Sequence, residues 1–208
     1  MSTSAPLDEA RADAGLTLIE LLIAALLTLL VIAMVGGLFV GASRTQNTVR
    51  SATQAADLGQ LISRSIEQGV NNATALSVQV DSTSGSQLLL AREFSMDPNV
   101  DPTQGASSGT SCRAWLYTTA LGGAIYTKIT TPAVPIVMPI GTPDSSWTLI
   151  GNGLQVQVDA SPSALIFAAP NGTRVDLKFD VTTGTGQPVH IETTATIPNP
   201  TTESAPCF

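Results

Sequence analysis

The sequence predicts an α+β fold, one long N-terminal helix packed on an antiparallel β-sheet domain. Three observations lead there. A run from Leu16 through Ser43 carries no charge except Glu20. Apolar residues then recur at spacings of three and four as far as Val70, one stripe of an amphipathic helix. From Ala73 onward the period shortens to two, with turn residues between short β-branched or aromatic runs.

The helix comes first. Leu21 to Val35 is aliphatic except for Thr28, and Gly36-Gly37-Leu38-Phe39-Val40 continues it. About 20 such residues at about 1.5 Å each cover the hydrocarbon layer of a bilayer. A cleaved secretory signal would have an apolar region of only about 7–15 residues behind a basic flank. Here the preceding segment is acidic, with Asp8, Glu9 and Asp13 against Arg11. The amphipathic stripe is read as Val49, Ala52, Ala56, Leu58, Leu61, Ile62, Ile66 and Val70. Gly69 and the pair Asn71-Asn72 supply C-cap candidates, so the helix is expected from Leu16 to about Gln68.

Strands are expected at 76–80, 87–94, 113–119, 124–129, 147–150, 154–158, 164–169, 174–181 and 189–197. Gly122-Gly123 reads as a two-residue hairpin turn that sets Trp115-Leu116-Tyr117 against Ile125-Tyr126. Asn171-Gly172 marks a second hairpin. Val175, Leu177, Phe179 and Val181 alternate with Asp176, Lys178 and Asp180, giving one buried and one wet face. Met96 to Ser111 has turn chemistry throughout. Thr131 to Ser146 holds Pro132, Pro135, Pro139 and Pro143, too many for a central strand. Both are expected as insertions over the sheet.

With 208 residues the chain suits one soluble domain plus an anchor. A net charge of −7 argues against nucleic acid, which needs clustered Lys and Arg. A patch of Arg92, Arg113, Lys128 and Arg174 on one face would count the other way. Cys112 and Cys207 are the only cysteines. In an oxidising compartment they can pair, closing a loop worth about 4–5 kcal/mol in the chain-entropy model; two free thiols are the alternative. His190 is the single histidine, so the usual zinc sets and a Ser-His-Asp triad lack partners. No phosphate loop or nucleophile elbow is present. No enzyme activity, cofactor or metal is expected. Asp97, Asn99 and Asp101 open like a calcium loop, but Pro102 and Ser108 stand where that loop needs Gly and Glu. A solvated turn is the expectation there. Trp115, Tyr117, Tyr126 and Trp147 are expected in hairpin packing, with an aromatic binding surface as the alternative.

A carboxylate inside a membrane-length run is costly, about 2.5–3.5 kcal/mol for Asp at a helix centre, and Glu20 therefore demands a partner. The motif Gly15-Leu16-Thr17-Leu18-Ile19-Glu20-Leu21-Leu22 resembles the prepilin signature of type IV pilins and type II secretion pseudopilins. The order Arg113–Tyr117, Gly122–Lys128, Arg174–Val181 and Pro188–Asn199 is also loosely similar to the J-type minor pseudopilins and their minor-pilin counterparts. The resemblance implies a pilin-like fold and a leader, residues 1–15, removed by a prepilin peptidase cutting between Gly15 and Leu16. It implies N-methylation of Leu16 and pairing of Glu20 with the α-amine of a neighbouring subunit. Residues 16–42 would then form the membrane and filament-core half of the helix, 43–70 its amphipathic half, and 71–208 an extracytoplasmic β-rich domain. The expected partners are the peptidase, other major and minor pilins, and the membrane crossed once with the N-terminus in the cytoplasm. The rival reading is a membrane-anchored extracellular binding module, an adhesin or DNA-capturing tip. Gly36-Gly37 would melt on assembly by the same resemblance, or would simply ease helix packing in the membrane.

Overall fold

A computed structural model describes residues 17–94, 109–157, 165–184 and 186–208. One continuous helix, α1, runs from Leu18 to Asn72, about 80 Å at the usual rise. The chain divides into two compact units, Met1–Asn47 and Thr48–Phe208, with the boundary inside this helix.

In the first unit every described residue of α1 is exposed, and the helix is apolar all round, with a mean hydropathy of 2.9 over its most apolar 18 residues. It is long and apolar enough to cross a membrane. Gly36 and Gly37 lie within unbroken helix.

In the second unit the back of α1 packs on strands. Its buried residues are Ala55, Gly59, Ile62, Ser63, Ile66, Gly69 and Val70. Ala55, Gly59, Ile62, Ile66 and Gly69 repeat at alternating four and three, the narrow stripe of a helix seated on one surface. The stripe expected from the sequence shares Ile62, Ile66 and Val70 with it, but Val49 and Leu61 are exposed. Small residues displaced them because the sheet lies close. A Cβ on Gly59 would meet Ile191 at 2.6 Å, and one on Gly69 would meet Trp115 Cζ2 at 2.6 Å. Gly69 is thus a contact residue inside the helix and not its cap, and α1 runs on to Asn72.

The expected single sheet is two. Strands β1 (Ala73–Val80), β2 (Gln87–Phe94), β3 (Thr110–Thr118), β4 (Ala124–Thr130) and β5 (Thr148–Asn152) form a five-stranded antiparallel meander. A second antiparallel sheet is centred on β8 (Arg174–Val181). On one edge β8 takes β6 (Leu154–Val156) and β7 (Phe167–Ala168) at different heights, and it also pairs with β9 (Val189–Thr196). The sequence hides this division because β6 and β7 are too short to signal their partners. Buried Gln87 of β2 bridges the sheets, its Oε1 accepting from the N–H groups of Ile166 and Phe167 at 2.8 and 3.0 Å.

The β3–β4 hairpin sets Leu116 opposite Tyr126 and Tyr117 opposite Ile125, as expected. Its connection is longer than two residues: a 3-10 turn over Ala120–Gly122 fills it, with Leu121 and Gly123 at positive φ. Gly123 must be glycine, since Leu154 O lies where its Cβ would stand. Leu154 N donates to Gly123 O at 3.1 Å, which anchors β6 to the hairpin. β3 begins at Thr110, inside the segment expected as loop.

Alternation along β2 and β3 divides two cores. Leu89, Ala91, Trp115 and Tyr117 face α1 and the inner face of β8, where Val175, Leu177, Phe179 and Val181 are buried. Leu88, Leu90, Ala114 and Leu116 face the other way, onto Ala133 and Ile136 of the proline-rich insertion and Trp147 just beyond it. The unbroken apolar run of β2 reflects burial on both faces. Cys112 and Cys207 are disulfide-bonded within this second core, 5.5 Å apart at Cα.

Candidate functional site

Glu20 sits at the third position of α1. The helix opens on Thr17, whose carbonyl accepts from Leu21 N at 3.2 Å and whose Oγ1 accepts from Glu20 N at 3.4 Å. Thr-x-x-Glu is the capping-box spacing, with a hydroxyl and a carboxylate available to the free N–H groups of the first turn. This local role for Thr17 is readable in the sequence from that spacing, although the apolar run around it gives the stronger signal. A negative group is favourable at this end of a helix dipole, so the first turn itself offsets part of the cost of Glu20. Gly15 and Leu16, the expected processing residues, lie outside the described residues, as do Asp97, Asn99 and Asp101.

The four basic residues that would form an anion-binding patch are separated and engaged. Arg92 is buried: its Nη1 donates to Thr74 Oγ1 at 2.9 Å and its Nε to Ala205 O at 3.0 Å. It thereby ties the C-terminal tail and β1 to β2. Arg113 lies on the α1 side, its Nε 3.0 Å from Glu93 Oε1 and its guanidinium 5.7 Å from the Trp115 ring. Lys128 donates to Ser146 Oγ at 2.8 Å and stands over Trp147 at 5.7 Å. Arg174 belongs to the second sheet and pairs with Asp176 at 2.7 Å.

Glu93 and Arg113 form the most constrained charge pair. They are close enough to attract, but the Arg113 N–H is not aimed along a hydrogen bond, and neither atom has another partner. Gly69 of α1 closes over the carboxylate; a Cβ there would approach Glu93 Oε1 to 2.9 Å. Burial raises the Glu93 carboxyl above its ordinary range, and the charge of Arg113 only partly opposes this.

The wet face of the second sheet is a ladder of cross-strand polar pairs. Arg174 and Thr194 both donate to Asp176, Lys178 reaches Glu192 at 2.5 Å, and His190 Nδ1 meets Asp180 at 2.6 Å. Burial acts to raise Asp176, but the bonds from Thr194 and Arg174 outweigh it and hold the carboxyl below its usual value. The His190 side chain is exposed. Trp115, Tyr117 and Trp147 are buried, and Tyr126 packs against the second core, so these aromatics are packing residues. Trp115 also spans helix and sheet, its Nε1 donating to Ser65 Oγ at 3.1 Å.

Among the described residues no group of three or more His, Cys, Asp or Glu is placed to hold a metal ion. No protein-family model, curated protein or solved structure matches the chain.

Proposed function

We infer that this protein is a minor pilin or pseudopilin, a non-enzymatic structural subunit of a type IV pilus, a competence pseudopilus or a secretion pseudopilus. It enters the membrane with its N-terminus in the cytoplasm and its β-domain outside. A prepilin peptidase cuts between Gly15 and Leu16 and methylates Leu16, and the subunit joins other pilins through the exposed front of α1, reaching the cell surface in the filament.

One observation carries this reading. A single carboxylate, Glu20, stands in the first turn of α1, whose front part is otherwise uncharged as far as Ser43 and exposed throughout, three residues after Thr17 in the run that opens with Gly15-Leu16-Thr17. An ordinary membrane anchor has no use for that charge. A cationic α-amine on Leu16 of an adjacent subunit would offset it and set the axial register of assembly. The anchored binding module shares the same helix, but its DNA-capturing form loses support because Arg92, Arg113, Lys128 and Arg174 are already engaged.

Coexpression with a prepilin peptidase tests the reading by intact mass. The product should lose Met1 to Gly15 and gain one methyl group; an uncut chain overturns the proposal. In the same system Glu20→Ala should still be cut yet be missing from sheared filaments. Normal incorporation would refute the pairing role while leaving the processing intact.

A further inference from the structure

Strand β9 pairs with β8 along its whole length, Val189 to Thr196, without a register shift. Among the described residues its other edge has no strand partner. Exposed edges are normally blunted by proline, charged side chains, a bulge or a covering element, because a row of unpaired N–H and C=O groups templates a further strand. β9 has no proline, lysine or bulge, and Glu192 is its one acidic or basic side chain besides His190.

Beside that edge runs a groove of about 340 Å³. One wall is the consecutive run 190–193 of β9; the other is Gln60, Ser63, Arg64 and Glu67 of α1. Side chains alternate between the faces of a strand, so four consecutive residues line one groove only where the edge backbone is itself the wall. The helix wall has unspent hydrogen-bonding capacity. Ser63 is 8% exposed, and its hydroxyl has no partner, a situation that costs about 1–3 kcal/mol in a closed site. Gln60 and Arg64 engage no other side chain or backbone group among the described residues. Glu67 is held by Thr193 Oγ1 at 2.8 Å, which fastens the two walls together.

A small polar molecule could satisfy Ser63 but would leave the strand edge unanswered. An extended peptide backbone satisfies both, with main-chain bonds to β9 on one side and to the helix side chains on the other. Charge narrows the occupant. Glu67, Asp180 and Glu192 outnumber Arg64 and Lys178 around the edge, and the whole chain carries −7, so a second copy brings like charge. We propose that β9 accepts an extended, lysine- or arginine-bearing segment of another protein as an added strand, gripped from the helix side by Gln60, Ser63 and Arg64. This stands whether or not the chain is processed as a pilin.

The test uses the full chain in detergent micelles and a panel of labelled hexapeptides with Lys at every second position and Thr, Val or Ile between. Fluorescence anisotropy should show saturable binding, and hydrogen exchange should slow at residues 190–193. Peptides N-methylated on alternate amides keep their charge and should bind at least about tenfold more weakly, since one row of edge bonds is lost. Gln60→Trp, an exposed change that fills the groove, should weaken binding by at least about tenfold, and Ser63→Ala by about threefold. Failure of the whole panel to bind overturns the proposal. So does equal binding by the N-methylated peptides, unchanged affinity of Gln60→Trp, or protection elsewhere than 190–193. Protection of that edge that grows with protein concentration alone would assign it to a second copy and overturn the choice of partner.

Discussion

The front and back of α1 are the same helix made by opposite chemistries. In the front, Leu, Ile and Val cover every side and all are exposed; in the back, the buried positions include two glycines, an alanine and a serine. Apolarity therefore does not measure burial within this chain. The front needs a surrounding apolar medium and tolerates any packing partner that provides one. The back is fixed against one particular surface, where Gly59 and Gly69 admit Ile191 and Trp115 to contact distance. Hydrophobic excess marks the first region, and steric economy marks the second.

Matched substitutions break that comparison most directly. Ile62 is fully buried and Leu26 is 58% exposed. Ile62→Ala should destabilise the β-domain by about 2–5 kcal/mol, whereas Leu26→Ala should leave its urea midpoint unchanged. Equal effects would show that the front and back share one packed core. A smaller effect is expected from the glycines. Gly69→Ala should cost about 1–3 kcal/mol because the Trp115 ring must move. At Gly37 an added methyl would meet nothing within 4 Å, so Gly37→Ala should instead gain about 1 kcal/mol of helix stability. Circular dichroism of the full chain in micelles would read both signs.

The smallest expected effect concerns the carboxylate beneath Gly69. Its folded-state value is raised, so the folded protein holds the Glu93 proton to higher pH than the unfolded chain does. The stability that this proton contributes is fully present below the ordinary glutamate value and is lost as pH rises through the raised one. Glu93→Gln should remove that part of the pH dependence of urea unfolding above the ordinary glutamate range. An unaltered profile would mean that another group titrates there.

Much of this fold is legible in the sequence, and the reasons are physical. Val175 to Val181 obeys a strict period of two because one face meets the core and the other meets water, and the structure places the strand at the expected bounds. Cys112 and Cys207 pair as the sequence allows. What stayed hidden depends on neighbours distant in the chain. Gly69 looks like a helix stop until Trp115 is seen against it, and the proline-rich insertion, expected over the sheet, gives no sign that Ala133 and Ile136 close a second core there. The strand expected at 154–158 is found as Leu154–Val156, but its partners Val181 and Phe179 are not readable from so short a segment. The candidate site divides the same way: Glu20 stands out by its cost in an apolar run, whereas the free edge of β9 exists only once the two sheets are separated.

The second core has a consequence for timing. Leu88, Leu90, Ala114 and Leu116 are covered in part by Cys207, 95 positions beyond its disulfide partner, while Arg92 waits for Ala205. A chain made N-terminus first therefore has this apolar face of β2 and β3 covered only in part, by Ala133, Ile136 and Trp147, until Cys207 follows. Closure of such a long loop is slow, and an open apolar sheet is prone to wrong associations in the interval. Closing this face therefore waits on residues 205–207, far in the chain from the strands they cover.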